Sequence, residues 1–153
     1  MLEIFLPINR HQDDKIYIMK IKGIEHIGIA VNSLAENSPF WKHVLGLDHS
    51  RTETVESEKV TTEIYTTGRG KIELLEAMSE DSTIAKYIDK RGVGIHHICF
   101  EVDNIHEAIS ELQENNISVI YDEPKVGAEG YLVTFIHPKS TGGVLVELAE
   151  RPV

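Results

Sequence analysis

Two histidines and two glutamates recur in matching places along this 153-residue chain. His26 stands in Gly23-Ile-Glu-His-Ile-Gly-Ile-Ala-Val31 and His97 in Gly94-Ile-His-His-Ile-Cys-Phe-Glu-Val102, 71 residues apart (97 − 26). Glu73 and Glu147 each sit inside an apolar run, Lys71-Ile-Glu-Leu-Leu75 and Val144-Leu-Val-Glu-Leu148. A carboxylate in such surroundings is costly to bury unless it is paired or bound to a metal. The His-to-Glu spacing is 47 residues (73 − 26) in one half and 50 (147 − 97) in the other. Two imidazoles and two carboxylates suit a borderline divalent ion such as Co, Ni, Mn, Fe or Zn, and in an octahedral site they leave positions open for substrate oxygens. A single histidine at the start of a strand is more often a structural residue than a ligand, so the weight lies on the set. His96 competes with His97, but the repeat aligns His96 with Glu25 and His97 with His26.

The elements that must position these groups repeat as well. Around each histidine the apolar positions alternate, Ile27, Ile29, Val31 and Ile98, Phe100, Val102, which predicts strands with the histidines on the opposite face. That face carries His26, Gly28 and Ala30 in one copy and His97, Cys99 and Glu101 in the other. The small neighbours of His26 leave space for a ligand. Asn104-Ile-His-Glu107 is a capping-box pattern opening a helix that Asn115-Asn116 closes. Ser33-Leu-Ala-Glu36 resembles it, but Pro39 predicts either a kink or a late start with Ser38 as cap. Strands are expected near residues 50–56, 59–67 and 71–77, and again near 117–121, 131–137 and 143–149. Each half therefore reads as strand, helix, three strands, an α+β pattern. Modules 22–78 and 93–150 are joined by a connector helix over about 82–91, giving one domain over 21–153 after an extension over 1–20.

Composition narrows the function classes. The formal charge is −10, and no Lys/Arg stretch is dense enough to follow a phosphate backbone, so nucleic acid is a poor partner. The longest apolar runs fall far short of the roughly 20 residues of a membrane span. Residues 1–18 carry Glu3, Asp13 and Asp14 and resemble neither a secretion signal nor a transit peptide, and Met19 is a candidate natural start. The one cysteine, Cys99, agrees with a reducing compartment, the cytoplasm, and reads as a small core or pocket-wall residue. The histidines at positions 11, 43, 49, 106 and 137 fall in polar or loop segments and read as surface residues.

These motifs, together with Asp81-Ser-Thr-Ile-Ala-Lys86, Asp122-Glu-Pro-Lys125 and His137-Pro-Lys-Ser-Thr-Gly-Gly-Val-Leu-Val-Glu-Leu148, resemble the vicinal-oxygen-chelate superfamily, and within it the acyl-CoA epimerases. The similarity runs from about Lys22 to Glu150. It implies a glyoxalase-like fold, two paired βαβββ modules forming a cupped mixed sheet around a metal. It implies interconversion of (2R)- and (2S)-methylmalonyl-CoA, with His26, Glu73, His97 and Glu147 at the ligand positions, Co2+ as the favoured ion and Ni2+, Mn2+ or Zn2+ as alternatives. A homodimer is the implied assembly. Glu63, in Thr61-Thr-Glu-Ile-Tyr65, matches a glutamate proposed as catalytic base in part of the family; other members carry an apolar residue there.

Epimerisation removes a proton from a carbon between a thioester and a carboxylate. An enediolate forms, and a divalent cation stabilises its charge. The second acid/base is left open by the residues: Glu147, a metal-bound water or another side chain could serve. Lys90, Arg91, Lys125 and Lys139 are candidates for the CoA phosphates. A glyoxalase I-type isomerase or lyase and a non-catalytic small-molecule-binding protein are the alternatives, since one scaffold supports many functions.

Overall fold

A computed structural model describes residues 19–153. The extension expected upstream, including His11, lies outside the described residues.

Eight strands form one curled mixed sheet: β1 (Ile21–Ala30), β2 (Asp48–Val55), β3 (Val60–Thr66), β4 (Lys71–Ala77), β5 (Gly94–Val102), β6 (Lys125–Val126), β7 (Leu132–Ile136) and β8 (Val146–Glu150). Their order is β2-β3-β4-β1-β5-β8-β7-β6. The antiparallel β1–β5 pair is the centre, and each member pairs in parallel with the last strand of its own half, β4 or β8. The two halves are thus related by an approximate twofold between β1 and β5. The repeat in the sequence becomes a repeat in space.

Three helices cover the convex side and the junction: α1 (Leu34–Pro39), α2 (Thr83–Arg91) and α3 (Ile105–Glu114). Each has a side-chain cap, from Ser33 Oγ, Ser82 Oγ and Asn104 Oδ1 to the N–H groups of Glu36, Ala85 and Glu107. Glu76 Oε2 also accepts from Leu34 N–H at 3.0 Å, and Glu150 Oε1 accepts from Ile105 N–H at 3.3 Å. The last strand of each half thereby holds the start of that half's helix. Val31, Leu34, Tyr65 and Leu74 form the core under α1, and Val102, Ile105, Ala108, Ile109 and Leu148 form its counterpart under α3.

Two expectations change. The first helix starts early at Ser33, and Pro39, which has no N–H to return to the preceding turn, is followed by a wider π turn over Phe40–Val44, with Leu45 N–H donating to Phe40 O at 2.9 Å. Ser38 is no cap: its hydroxyl faces Leu34 O and Glu63. In the second half, residues 117–121 give only a single bridge, Val119 with Ile136, and the strand on the outer edge of β7 is the short β6.

Candidate metal centre

The concave face of the sheet gathers the four repeated side chains. His26 comes from β1, His97 from β5, and Glu73 and Glu147 from the flanking strands β4 and β8. His26 Nε2 lies 2.9 Å from His97 Nε2, 3.3 Å from Glu73 Oε2 and 3.1 Å from Glu147 Oε2; Glu147 Oε2 is 2.9 Å from His97 Nε2. Donor atoms of His26, Glu73 and His97 all fall within 4.8 Å of one another. All four residues are buried. The facing atoms are acceptors unless protonated, and lone pairs directed at one point inside a low-dielectric cup are the surroundings a divalent cation neutralises. The donor set fits such an ion.

Backbone geometry makes room for it. Gly28 pairs with His97 across β1 and β5, and a β-carbon on Gly28 would lie 2.2 Å from His97 Cε1 and 2.5 Å from Nδ1. The space that the small residues of β1 leave is filled by the partner histidine, which is how the candidate ligands of the two halves meet. Phe135 of β7 packs edge-on against the His97 ring at 5.8 Å between centroids. Cys99 is fully buried beneath the site with Tyr131, Val133 and Ala149, and burial pushes its thiol up to about 12.

Protonation follows from this crowding. Burial alone would lower His26, but the Glu73 carboxylate, with bonds to Cys99, Glu147 and Glu25, holds its pKa well above the usual imidazole value. Burial raises Glu73 to about 7, against the pull of His26. Burial also works on Glu147, yet hydrogen bonds from both imidazoles keep it far below the ordinary carboxylate range. His96 is lowered to about 4 by burial and by the neighbouring His97, so it is neutral near pH 7.

Glu63 does not belong to the cup. On β3 the side chains alternate, and Val60 and Thr62 line the concavity with Glu73 and Leu75 of β4. Glu63 projects to the helix side, where its Oε1 accepts from the Ser38 hydroxyl at 2.5 Å and from the Tyr65 hydroxyl. Glu63, expected as a catalytic base, therefore lies on the helix side of β3, and Thr62 occupies the cup-facing place. The carboxylates that line the cup among the described residues are Glu25, Glu58, Glu73 and Glu147. Of the four expected phosphate-binding cations only Lys125 is on its wall, with Nζ 3.9 Å from the Tyr121 ring. Lys90 and Arg91 lie in the last turn of α2, and Lys139 in the turn before β8. His43, His49, His106 and His137 are exposed. Contacts across the mouth had no sequence signal: Tyr121 donates to Glu58 at 2.6 Å, and Glu129 N–H donates to Glu53 Oε2 at 3.0 Å.

The chain belongs to the glyoxalase/bleomycin resistance protein/dioxygenase superfamily, whose family profile matches residues 25–135. Among curated relatives, it is 42% identical over 129 residues to the mitochondrial methylmalonyl-CoA epimerase of Dictyostelium discoideum, spanning 84% of this chain and 78% of that one. It is 38% identical over 129 residues to the ethylmalonyl-CoA/methylmalonyl-CoA epimerase of Cereibacter sphaeroides, spanning 83% and 96%. Among solved structures, a variant of the Streptomyces coelicolor methylmalonyl-CoA epimerase in complex with 2-nitronate-propionyl-CoA superposes with a TM-score of 0.83 at 33% identity, covering 88% of this chain and all (100%) of that one.

Proposed function

We propose that this protein is a divalent-metal-dependent epimerase that interconverts (2R)- and (2S)-methylmalonyl-CoA by abstracting the α-proton. The observation that carries the reading is the convergence of His26, Glu73, His97 and Glu147 on one point of a cup that is open on one side. Similarity to epimerases over most of the chain supports the substrate. A divalent ion held by these four side chains would act as a Lewis acid toward the substrate's oxygens, stabilising the negative charge that develops as the proton leaves.

The chain's own residues supply the proton traffic. Inversion needs one acid/base group on each side of the α-carbon. Of the cup's carboxylates, Glu25 is engaged by Lys71 and Glu58 by Tyr121. Glu73 and Glu147 come from strands on opposite flanks of the central pair, and we assign proton transfer to these two: one, as a carboxylate, takes the α-proton while the other, released from the cation and protonated, returns a proton to the opposite face. Thr62, Val60, Leu75 and Phe135 narrow the cavity and exclude water from the reacting carbon. Lys125 at the wall is the cation placed to receive a CoA phosphate. The resemblance also supports Co2+ as the native ion and a homodimeric assembly, and the single cysteine agrees with a reducing compartment such as the cytoplasm; among the described residues no helix is long and apolar enough to cross a membrane.

The test compares purified, metal-loaded protein on (2R)-methylmalonyl-CoA and on the methylglyoxal–glutathione hemithioacetal. Turnover of the first with none of the second supports the reading; the reverse would assign the chain to the glyoxalase chemistry of the same superfamily.

A further inference from the structure

The pairing register of the central strands skips Lys22 and Glu25 on β1 and His96 on β5, and the last two lie beside the histidines. Ile24 faces Phe100 and His26 faces Cys99, which leaves Glu25 as the extra residue of a bulge on β1. Gly28 faces His97 and Ile29 faces Ile95, which leaves His96 as the extra residue on β5. The bulges at Glu25 and His96 are 71 residues apart (96 − 25), the same offset as the histidines, so beside the histidines one device is used twice. A bulge re-aims a side chain that strict alternation would send to the other face. Glu25 and His96 accordingly stand on the cup side beside the histidines that follow them.

In both copies the re-aimed side chain meets the rear nitrogen of its histidine. Glu25 Oε1 lies 3.2 Å from His26 Nδ1, and His96 Nδ1 lies 2.9 Å from His97 Nδ1, while both Nε2 atoms face the donor set. A ring whose Nε2 offers a lone pair to a cation carries its proton on Nδ1, and that N–H needs an acceptor, here a carboxylate in one half and an imidazole in the other. Glu25 is itself held: Lys71, opposite His26 in the β1–β4 register, places Nζ 3.1 Å from Glu25 Oε2 and 2.6 Å from Glu129 Oε2. Glu129 belongs to the rim turn Ala128–Gly130.

We propose that Glu25 and His96 are positioning residues, each fixing the tautomer and ring orientation of the ligand histidine that follows it, and that Lys71 holds Glu25 in that role. This rests on the metal-binding reading of the preceding subsection. The test is a competition titration of Co2+ against a chromophoric chelator, with the visible spectrum of bound Co2+ as a second readout and circular dichroism as the check on folding. Glu25→Ala and His96→Ala weaken affinity about 10- to 100-fold and alter the Co2+ spectrum. Glu25→Gln and His96→Asn, whose amide oxygens accept the same Nδ1–H, recover most of the loss. Lys71→Met leaves the acceptor present but unclamped and gives a smaller loss, and it carries the comparison should Glu25→Ala not fold. Wild-type protein that binds no Co2+ overturns the metal reading itself. Wild-type protein that binds it while both alanine variants stay within about twofold, or while the amide variants are as weak as the alanines, overturns this proposal alone.

Discussion

The His97 ring rests directly against the Cα of Gly28, with no room for a β-carbon between them. The first half thus reserves a place on its central strand for the histidine of the second, and Gly28→Ala is the smallest change that denies it. The methyl group would displace the ring, since overpacking in a tight interior costs about 1–3 kcal/mol when nothing yields. We expect Gly28→Ala to fold, to lose metal affinity by at least about 10-fold, and to lose turnover in parallel, measured by metal titration and steady-state assay.

Glu63 and Glu147 give opposite expectations although both are strand glutamates. Glu63→Gln keeps an acceptor oxygen for Ser38 and Tyr65 on the helix side but loses the charge that strengthens both bonds, which costs about 1 kcal/mol of stability and leaves turnover within about threefold of wild type. Glu147→Gln removes a carboxylate that touches both imidazoles, and we expect turnover to fall by at least about 100-fold. Steady-state kinetics and thermal melts on the two variants check the contrast.

The pH dependence of the metal-free protein follows from His26 and Glu73, both of which bind their proton more tightly folded than unfolded. Their contribution is complete below the ordinary imidazole and carboxyl values of 6.5 and 4.5, and it is lost as pH rises through the folded values, about 7 for Glu73. Glu147 has the opposite sign: its contribution is present above 4.5 and lost as pH falls through its depressed folded value. Metal requires the deprotonated ligands, so the increase in Tm on adding metal grows between about pH 5.5 and about pH 8. Thermal melts with and without metal across that range test this; a constant increase would contradict it.

Glu76 and Glu150 tie the helix starts to the last strands far from the cup. Glu76→Ala should cost about 1 kcal/mol of stability, as loss of a helix N-terminal acceptor does, without changing metal affinity.

The repeat in the sequence was enough to place the two histidines and two glutamates together, because period-two alternation fixes a strand's faces and duplication fixes how two strands are related. Glu63 was read from the resemblance alone, and alternation could not have marked its face. Strand β3 is buried on both faces, with Thr62 and Ile64 on one and Tyr65 on the other, so polarity no longer marks the side that faces the cup. The bulges at Glu25 and His96 left no local composition signal, since a bulge is a property of pairing between strands 71 residues apart. Of the strand expected over 117–121, only the bridge of Val119 to Ile136 forms beside β7, and Lys125 and Val126 take the rest of that edge.

The most direct measurement follows the α-proton of (2R)-methylmalonyl-CoA in heavy water by NMR, on protein whose bound metal has been counted. Stoichiometric metal, together with formation of the (2S) epimer carrying solvent deuterium at the α-carbon, is the predicted result. Fully metal-loaded protein that leaves the substrate unchanged, or that inverts it without taking up deuterium, would contradict it.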